Sequence, residues 1–88
     1  MRVTVLMADH CSSTSVAATL EFFATANVLH QYAARKGAAQ GQLDAPLFHI
    51  ETASIDGHSV ACTGGLRLTP DKALAEVRQP QLIIVPGF

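Results

Sequence analysis

The chain has 88 residues, 49% of them hydrophobic and 15% charged, and its net charge at neutral pH is −1. It is one small domain or part of one, and this charge balance excludes a basic surface for nucleic acid or for an anionic membrane. Its two cysteines are too few for a disulfide framework, and the amino-terminal apolar run is too short for a secretory signal or a membrane span. We therefore expect a protein of the reducing cytoplasm.

The first 36 residues predict a strand followed by a long helix. Residues 3–7 form a short apolar run with a single Thr, which predicts a strand, and residues 8–13 predict a polar loop. A hydroxyl of Ser12, Ser13 or Thr14 can cap the helix, which we expect to run to about Arg35. Its buried stripe is predicted to contain Val16, Leu20, Phe23 and Asn27, with Ala17, Ala24 and Val28 beside them.

The middle of the chain predicts a connector, a strand and a hairpin. Residues 37–45 are rich in Gly, Ala and Gln and predict a flexible connector, and residues 47–54 predict a second strand. Asp56-Gly57 is a hairpin turn signal, so we expect residues 60–63 to return as a short strand. Gly64-Gly65 then breaks this strand, and residues 66–68 predict a brief extended piece.

The last third predicts a short helix and a final strand. Thr69, Pro70 and Asp71 are the residues expected at a helix start, so a second helix is predicted over about residues 70–77. The β-branched run at residues 82–85 predicts a strand buried on both faces, with Pro86-Gly87 as the turn at its carboxyl end.

This alternation predicts the α/β class, with a partial doubly wound, flavodoxin-like parallel sheet and a small β-hairpin. We expect the first strand to be central, with the second strand on one side and the final strand on the other. Residues 83–85 would then form an open, apolar edge. Such an edge predicts association with a second copy or with the rest of the polypeptide.

Three stretches carry a resemblance to a known family: LEFFATAN (20–27), IDGHSVACTGGLRLTPDKAL (55–74) and QLIIVPGF (81–88). Behind an amino-terminal strand, this ordered set resembles the first half of the ThiJ/PfpI domain, which is also called the class I glutamine amidotransferase-like domain. The version found at the front of AraC-family transcriptional regulators is the most similar. The resemblance spans essentially all 88 residues.

The resemblance implies that residues 1–88 are the amino-terminal part of such a domain. In the family, a further strand with a sharp turn follows and can carry a nucleophilic cysteine, and the regulators add a DNA-binding helix-turn-helix pair. We therefore expect a fragment of a ligand-sensing and dimerisation domain that binds DNA only through a carboxy-terminal domain outside this chain. The alternative is a fragment of a ThiJ/PfpI-superfamily enzyme, a hydrolase or hydratase, without its cysteine nucleophile.

Two departures from the family pattern argue against catalysis. The carboxylate that family enzymes place near the first helix falls at Ser15. A serine hydroxyl cannot take up and release a proton at neutral pH as a carboxyl group can. The second glycine of the family's V-P-G-G loop is Phe88, which is costly wherever φ must be positive. We therefore expect no enzyme activity and no cofactor. We also expect no metal site, because the four histidines lack ligand spacing.

A small effector is expected where the first and final strands end, because ligands bind at the carboxyl ends of parallel strands. Cys11 is more readily a small packing residue than a nucleophile, and Cys62 is expected to be structural. The predicted ligand-binding residues are Asp9, His10, Cys11, Ser15, Gly87 and Phe88.

Overall fold

The computed structural model describes residues 1–36 and 46–87, which contain one long helix, six strands and a single 3₁₀ turn. Strand β1 is followed directly by helix α1, as the sequence predicts, and the other strands follow residue 46. The elements are β1 (Arg2–Met7), α1 (Ser13–Lys36), β2 (His49–Ser54), β3 (Val60–Ala61), β4 (Arg67–Leu68), β5 (Lys72–Ala73), the 3₁₀ turn (Leu74–Glu76) and β6 (Leu82–Ile84).

Four strands form a parallel sheet in the order β5-β2-β1-β6. Strand β1 pairs with β2 along its whole length, from Arg2 opposite His49 to Met7 opposite Ser54. On its other side β1 pairs with β6, where Val3 lies opposite Leu82. The predicted order is confirmed: the first strand is central, with the second and the final strand on opposite sides. The α/β, flavodoxin-like class predicted from the sequence is confirmed as well.

Helix α1 begins where a serine caps it. The Ser12 hydroxyl accepts a hydrogen bond from the Ser15 N–H at 3.2 Å, which satisfies one of the amides left free in the first turn. Val16 and Phe23 are buried and Leu20 is half-buried, so the predicted inward stripe is confirmed. The flanking part of that prediction is wrong: three residues expected beside the stripe are exposed, namely Ala17, Ala24 and Val28.

Asn27 fixes the helix to the sheet. Its side-chain amide donates to the Phe48 carbonyl at 2.9 Å, and its carbonyl oxygen accepts the Phe48 N–H at 2.8 Å. Because both backbone groups of Phe48 are engaged in this way, β2 begins at His49 and not at residue 47 as predicted. The rings of Phe23 and Phe48 meet edge to face with centroids 4.8 Å apart, so an aromatic pair supports the same junction.

The predicted hairpin is present, but its partners differ from the prediction. Strand β3 pairs with β4 and not with the second strand, and the turn between them contains Gly64 and Gly65, both with positive φ. Strand β2 has no free edge for a returning strand, since β1 lies on one side and β5 on the other. The Asp56-Gly57 turn therefore leads the chain away from the sheet. Gly57 has φ of 81°, and a Cβ there would stand only 3.1 Å from the Ala73 Cβ, so both the backbone conformation and the space favour glycine.

The second helix, predicted over residues 70–77, is wrong. Lys72–Ala73 is strand β5, which pairs in parallel with β2, and only a 3₁₀ turn follows it. Asp71 explains the difference. Its carboxylate accepts the Thr52 N–H at 2.9 Å and its own N–H donates to the Thr52 carbonyl, so this residue joins strand β2 and does not cap a helix.

Candidate functional site

The candidate site lies where β1 and β6 end. The chain passes from β1 to β2 and β5 on one side of the sheet and returns to β6 on the other. Parallel α/β sheets bind ligands at the carboxyl ends of the strands where the strand order switches in this way, so the loops after β1 and β6 are the candidate site. We call this place the switch crevice; it comprises the β1–α1 loop, the start of α1 and residues 85–87.

Ser12, Ser15 and Gly87 meet in the switch crevice. The Ser12 N–H donates to the Gly87 carbonyl at 2.7 Å, so the loop after β6 is attached to the start of the helix. The Ser15 Oγ is 3.6 Å from the position a Cβ would take on Gly87. Ser15 is half-buried, and its own carbonyl accepts the Thr19 hydroxyl at 2.7 Å. Two predicted residues, Ser15 and Gly87, are thus neighbours in space.

Asp9 and His10 face the β3–β4 hairpin and hold the loop against it. The Asp9 carboxylate accepts the Ala61 N–H at 3.0 Å, and the His10 N–H donates to the Ala61 carbonyl at 2.8 Å. The Thr63 hydroxyl donates to the His10 carbonyl at 2.8 Å. His10 has φ of 71°, a left-handed conformation that few residues other than glycine adopt. Both predicted residues are therefore loop-positioning groups in this structure, with exposed side chains.

Cys11 lies beneath the loop and not on its surface. Its side chain is fully buried, and its Sγ is 3.7 Å from the Sγ of Cys62. Both thiols belong to an apolar cluster with Met7, Val16 and Val60. Cys11 is thus a packing residue. Burial raises the pKa of the neighbouring Cys62 thiol. The last predicted residue, Phe88, lies outside the described residues.

A second hollow, of about 160 Å³, opens at the carboxyl ends of β1 and β2. Its polar groups include two carboxylates and two hydroxyls. Of these residues, only Asp9 is among the predicted ligand-binding residues. The backbone N–H of His58 lowers the pKa of Asp56, because it donates to the carboxylate at 2.9 Å. Ligands bind at the carboxyl ends of parallel strands, and this principle predicts the hollow when it is applied to the second strand as well. Its polar lining residues are Asp9, Ser54, Asp56 and Ser59.

The switch crevice offers hydroxyls and backbone groups, which suit hydrogen bonding to a small polar molecule. Within residues 1–36 and 46–87, no three His, Cys, Asp or Glu side chains lie together in a way that could hold a metal ion. In the same ranges no helix is both long and apolar enough to cross a membrane. The chemistry that these groups support is recognition by hydrogen bonds.

No family model matches the chain, and no curated protein matches it. Two solved structures do. An AraC family transcriptional regulator from Pseudomonas putida is 25% identical with a TM-score of 0.68, over 98% of this chain and 46% of the regulator. A DJ-1 superfamily protein from Agrobacterium tumefaciens is 21% identical with a TM-score of 0.58, over 99% of this chain and 37% of that protein.

The chain thus spans less than half the length of both proteins. The DJ-1 superfamily structure shows the fold. The regulator, which is described as an AraC family member, contains the same fold. The resemblance to the ThiJ/PfpI-like domain at the front of AraC regulators is confirmed.

Proposed function

We propose that this chain is the amino-terminal part of the ligand-sensing domain of an AraC-type transcriptional regulator, and that it has no catalytic activity. The observation that carries the proposal is the match of 98% of the chain, at a TM-score of 0.68, to a protein described as such a regulator. Its site of action would be the cytoplasm, and its effector would bind in the switch crevice.

The position of Ser15 supports a binding role over a catalytic one. Family enzymes place a carboxylate at the equivalent position, and here a half-buried hydroxyl lies beside Gly87. A serine hydroxyl can donate and accept hydrogen bonds to an effector but cannot serve as an acid at neutral pH. The burial of Cys11 supports the same conclusion, because a nucleophile must reach its substrate.

The net charge of −1 supports the assignment of DNA contact to a part of the regulator outside this chain. A salt-sensitive, sequence-selective shift of duplex DNA by the 88-residue chain would contradict that assignment.

The exposed edge at β6 supports association. Leu82, Ile83 and Val85 are exposed apolar residues, and β6 pairs only with β1 among the described residues. Unpaired strand edges with apolar side chains join other strands. We assign this edge to a contact with a second copy of the chain or with another segment of the regulator.

The sensing role is tested by thermal denaturation of the purified chain with a panel of amino acids, amines and organic acids. At least one compound is expected to raise the melting temperature, since a ligand that binds only the folded state stabilises it. The variant Ser15→Trp places a large ring beside Gly87 and should lose this response, while Ala24→Trp, at an exposed helix position, should keep it. A response that survives in Ser15→Trp places the ligand elsewhere and contradicts the site.

The alternative, a fragment of a ThiJ/PfpI-type enzyme, is tested separately. Turnover of a peptide, glutamine or isocyanide substrate that disappears in Cys11→Ala would refute the non-catalytic proposal. We expect no turnover by either protein.

A further inference from the structure

Cys11 and Cys62 are 51 positions apart in the sequence but meet inside the protein. Their Sγ atoms are 3.7 Å apart, both side chains are buried, and both are free thiols. The sulfurs of a disulfide are about 2.05 Å apart, so closure needs an approach of roughly 1.6 Å between these two atoms. The pair is therefore close to bonding distance without being bonded.

The backbone beside each cysteine is attached to the backbone beside the other. The His10 N–H donates to the Ala61 carbonyl at 2.8 Å, and the Thr63 N–H donates to the Cys11 carbonyl at 3.1 Å. The Thr63 hydroxyl adds a bond to the His10 carbonyl at 2.8 Å. These bonds keep the two segments side by side, so the sulfurs stay neighbours and can close by side-chain rotation with a small backbone shift.

We propose that Cys11 and Cys62 are a reversible oxidation site, at which hydrogen peroxide converts the two thiols into a disulfide within the chain. One thiol attacks a peroxide oxygen as its thiolate; the O–O bond breaks, a sulfenic acid forms, and the leaving hydroxide takes up the thiol proton as water. The second sulfur then attacks the sulfenic sulfur, and the hydroxyl group leaves with the second thiol proton as another water. The sulfurs lose two electrons, the peroxide gains them, and a dithiol reverses the change.

The surroundings make this oxidation slow. Burial and the adjacent Cys11 thiol raise the pKa of Cys62, so its thiolate is scarce at neutral pH. Peroxide reaches the pair when the β3–β4 hairpin opens, and each strand of that hairpin has only two residues. Sustained exposure to peroxide is therefore needed. Once formed, the bond ties the hairpin to the loop that precedes Ser12 at the switch crevice.

The test is mass spectrometry of the reduced, folded 88-residue chain after exposure to hydrogen peroxide. We expect the monomer mass to fall by about 2 Da, the loss of two hydrogens, and dithiothreitol to restore it. Peptide mapping should place the bond between Cys11 and Cys62. An unchanged mass, a gain of about 16 Da per oxygen on separate cysteines, or a bond between chains would overturn the proposal.

Variants separate the disulfide from simple packing. Cys11→Ser and Cys62→Ser should not lose 2 Da, and Cys11→Ala and Cys62→Ala serve alongside them because a serine hydroxyl in this apolar cluster can disturb folding. The oxidised wild-type chain should melt at a higher temperature than the reduced chain, since the bond closes a long loop of the unfolded state. That rise should vanish with dithiothreitol and in all four variants. A melting temperature that is unchanged or lowered by oxidation would contradict a site built to close.

Discussion

Strands β1 and β6 are both apolar and β-branched, yet they lie in opposite environments. In β1, Val3 and Val5 have no exposed surface, whereas in β6 Leu82 is 40% and Ile83 46% exposed. The difference is topological: β1 has a neighbour on both sides, and β6 has only β1 among the described residues. An apolar run thus reports the tendency to form a strand, while its burial is decided by what surrounds it. On our proposal, the exposed half of the sheet is a contact surface.

The largest expected contrast comes from removing one apolar side chain from each of the two strands. Met7→Ala, at a position that is 1% exposed, should lower the free energy of unfolding by about 2–5 kcal/mol, because it leaves a cavity. At protein concentrations low enough to keep the chain monomeric, Ile83→Ala should lower it by less than about 1 kcal/mol, within the range of strand propensities alone. Urea unfolding followed by circular dichroism measures both. Equal losses would remove the distinction between the two strands.

A smaller effect is expected at the junction of α1 with the buried side of the sheet. Asn27→Ala leaves the N–H and the carbonyl of Phe48 without their side-chain partner and should cost about 1–3 kcal/mol. The matched control is Thr25→Ala, at an exposed position of the same helix, which should change stability by less than about 0.5 kcal/mol. The same unfolding experiment measures both variants, and an Asn27→Ala loss no larger than the control's would show that the junction does not depend on this side chain.

The smallest effect concerns the other edge of the sheet, which carries charge where β6 is apolar. Lys72 on β5 forms an ion pair with Glu51 on β2, with Nζ 2.8 Å from the carboxylate, and both side chains are partly exposed. Lys72→Met should cost less than about 1 kcal/mol, and the difference from wild type should shrink at about 1 M salt. Lys72→Arg keeps the charge and serves as the control. A loss that salt does not reduce would mean that the lysine acts through its apolar stem.

The sequence predicted the sheet order because that order follows from local pattern and chain order. Ser15 and Gly87 meet because β1 and β6 are parallel neighbours, and strand alternation predicts that. The second helix failed because Thr69, Pro70 and Asp71 are cap residues only if a helix follows. Here Asp71 bonds to Thr52, 19 residues away, and local propensity contains no information on that contact.

Of the residues predicted to bind a ligand, Ser15 and Gly87 lie side by side as expected, but the sequence did not predict the structural roles of Asp9, His10 and Cys11. Asp9 and His10 bind backbone groups of the hairpin, and Cys11 lies in the core, so these three consecutive residues have two different roles. The contact between Cys11 and Cys62 spans 51 positions and depends on how β3 and β4 fold over the loop. Because the predicted hairpin paired with the second strand, the sequence could not reveal this contact between the two cysteines.

The most direct test of our central claim, that the β6 edge requires cover, is sedimentation velocity of the purified 88-residue chain. We predict that the wild-type chain sediments as dimers or larger species, and that Ile83→Lys, which places a charge on the exposed edge, shifts it toward monomer while the fold is kept. The control is Ala24→Lys, at an exposed position of α1, which should leave the distribution unchanged. A wild-type chain that is monomeric and unfolds cooperatively, with Ile83→Lys identical to it in solubility and melting temperature, would contradict the claim.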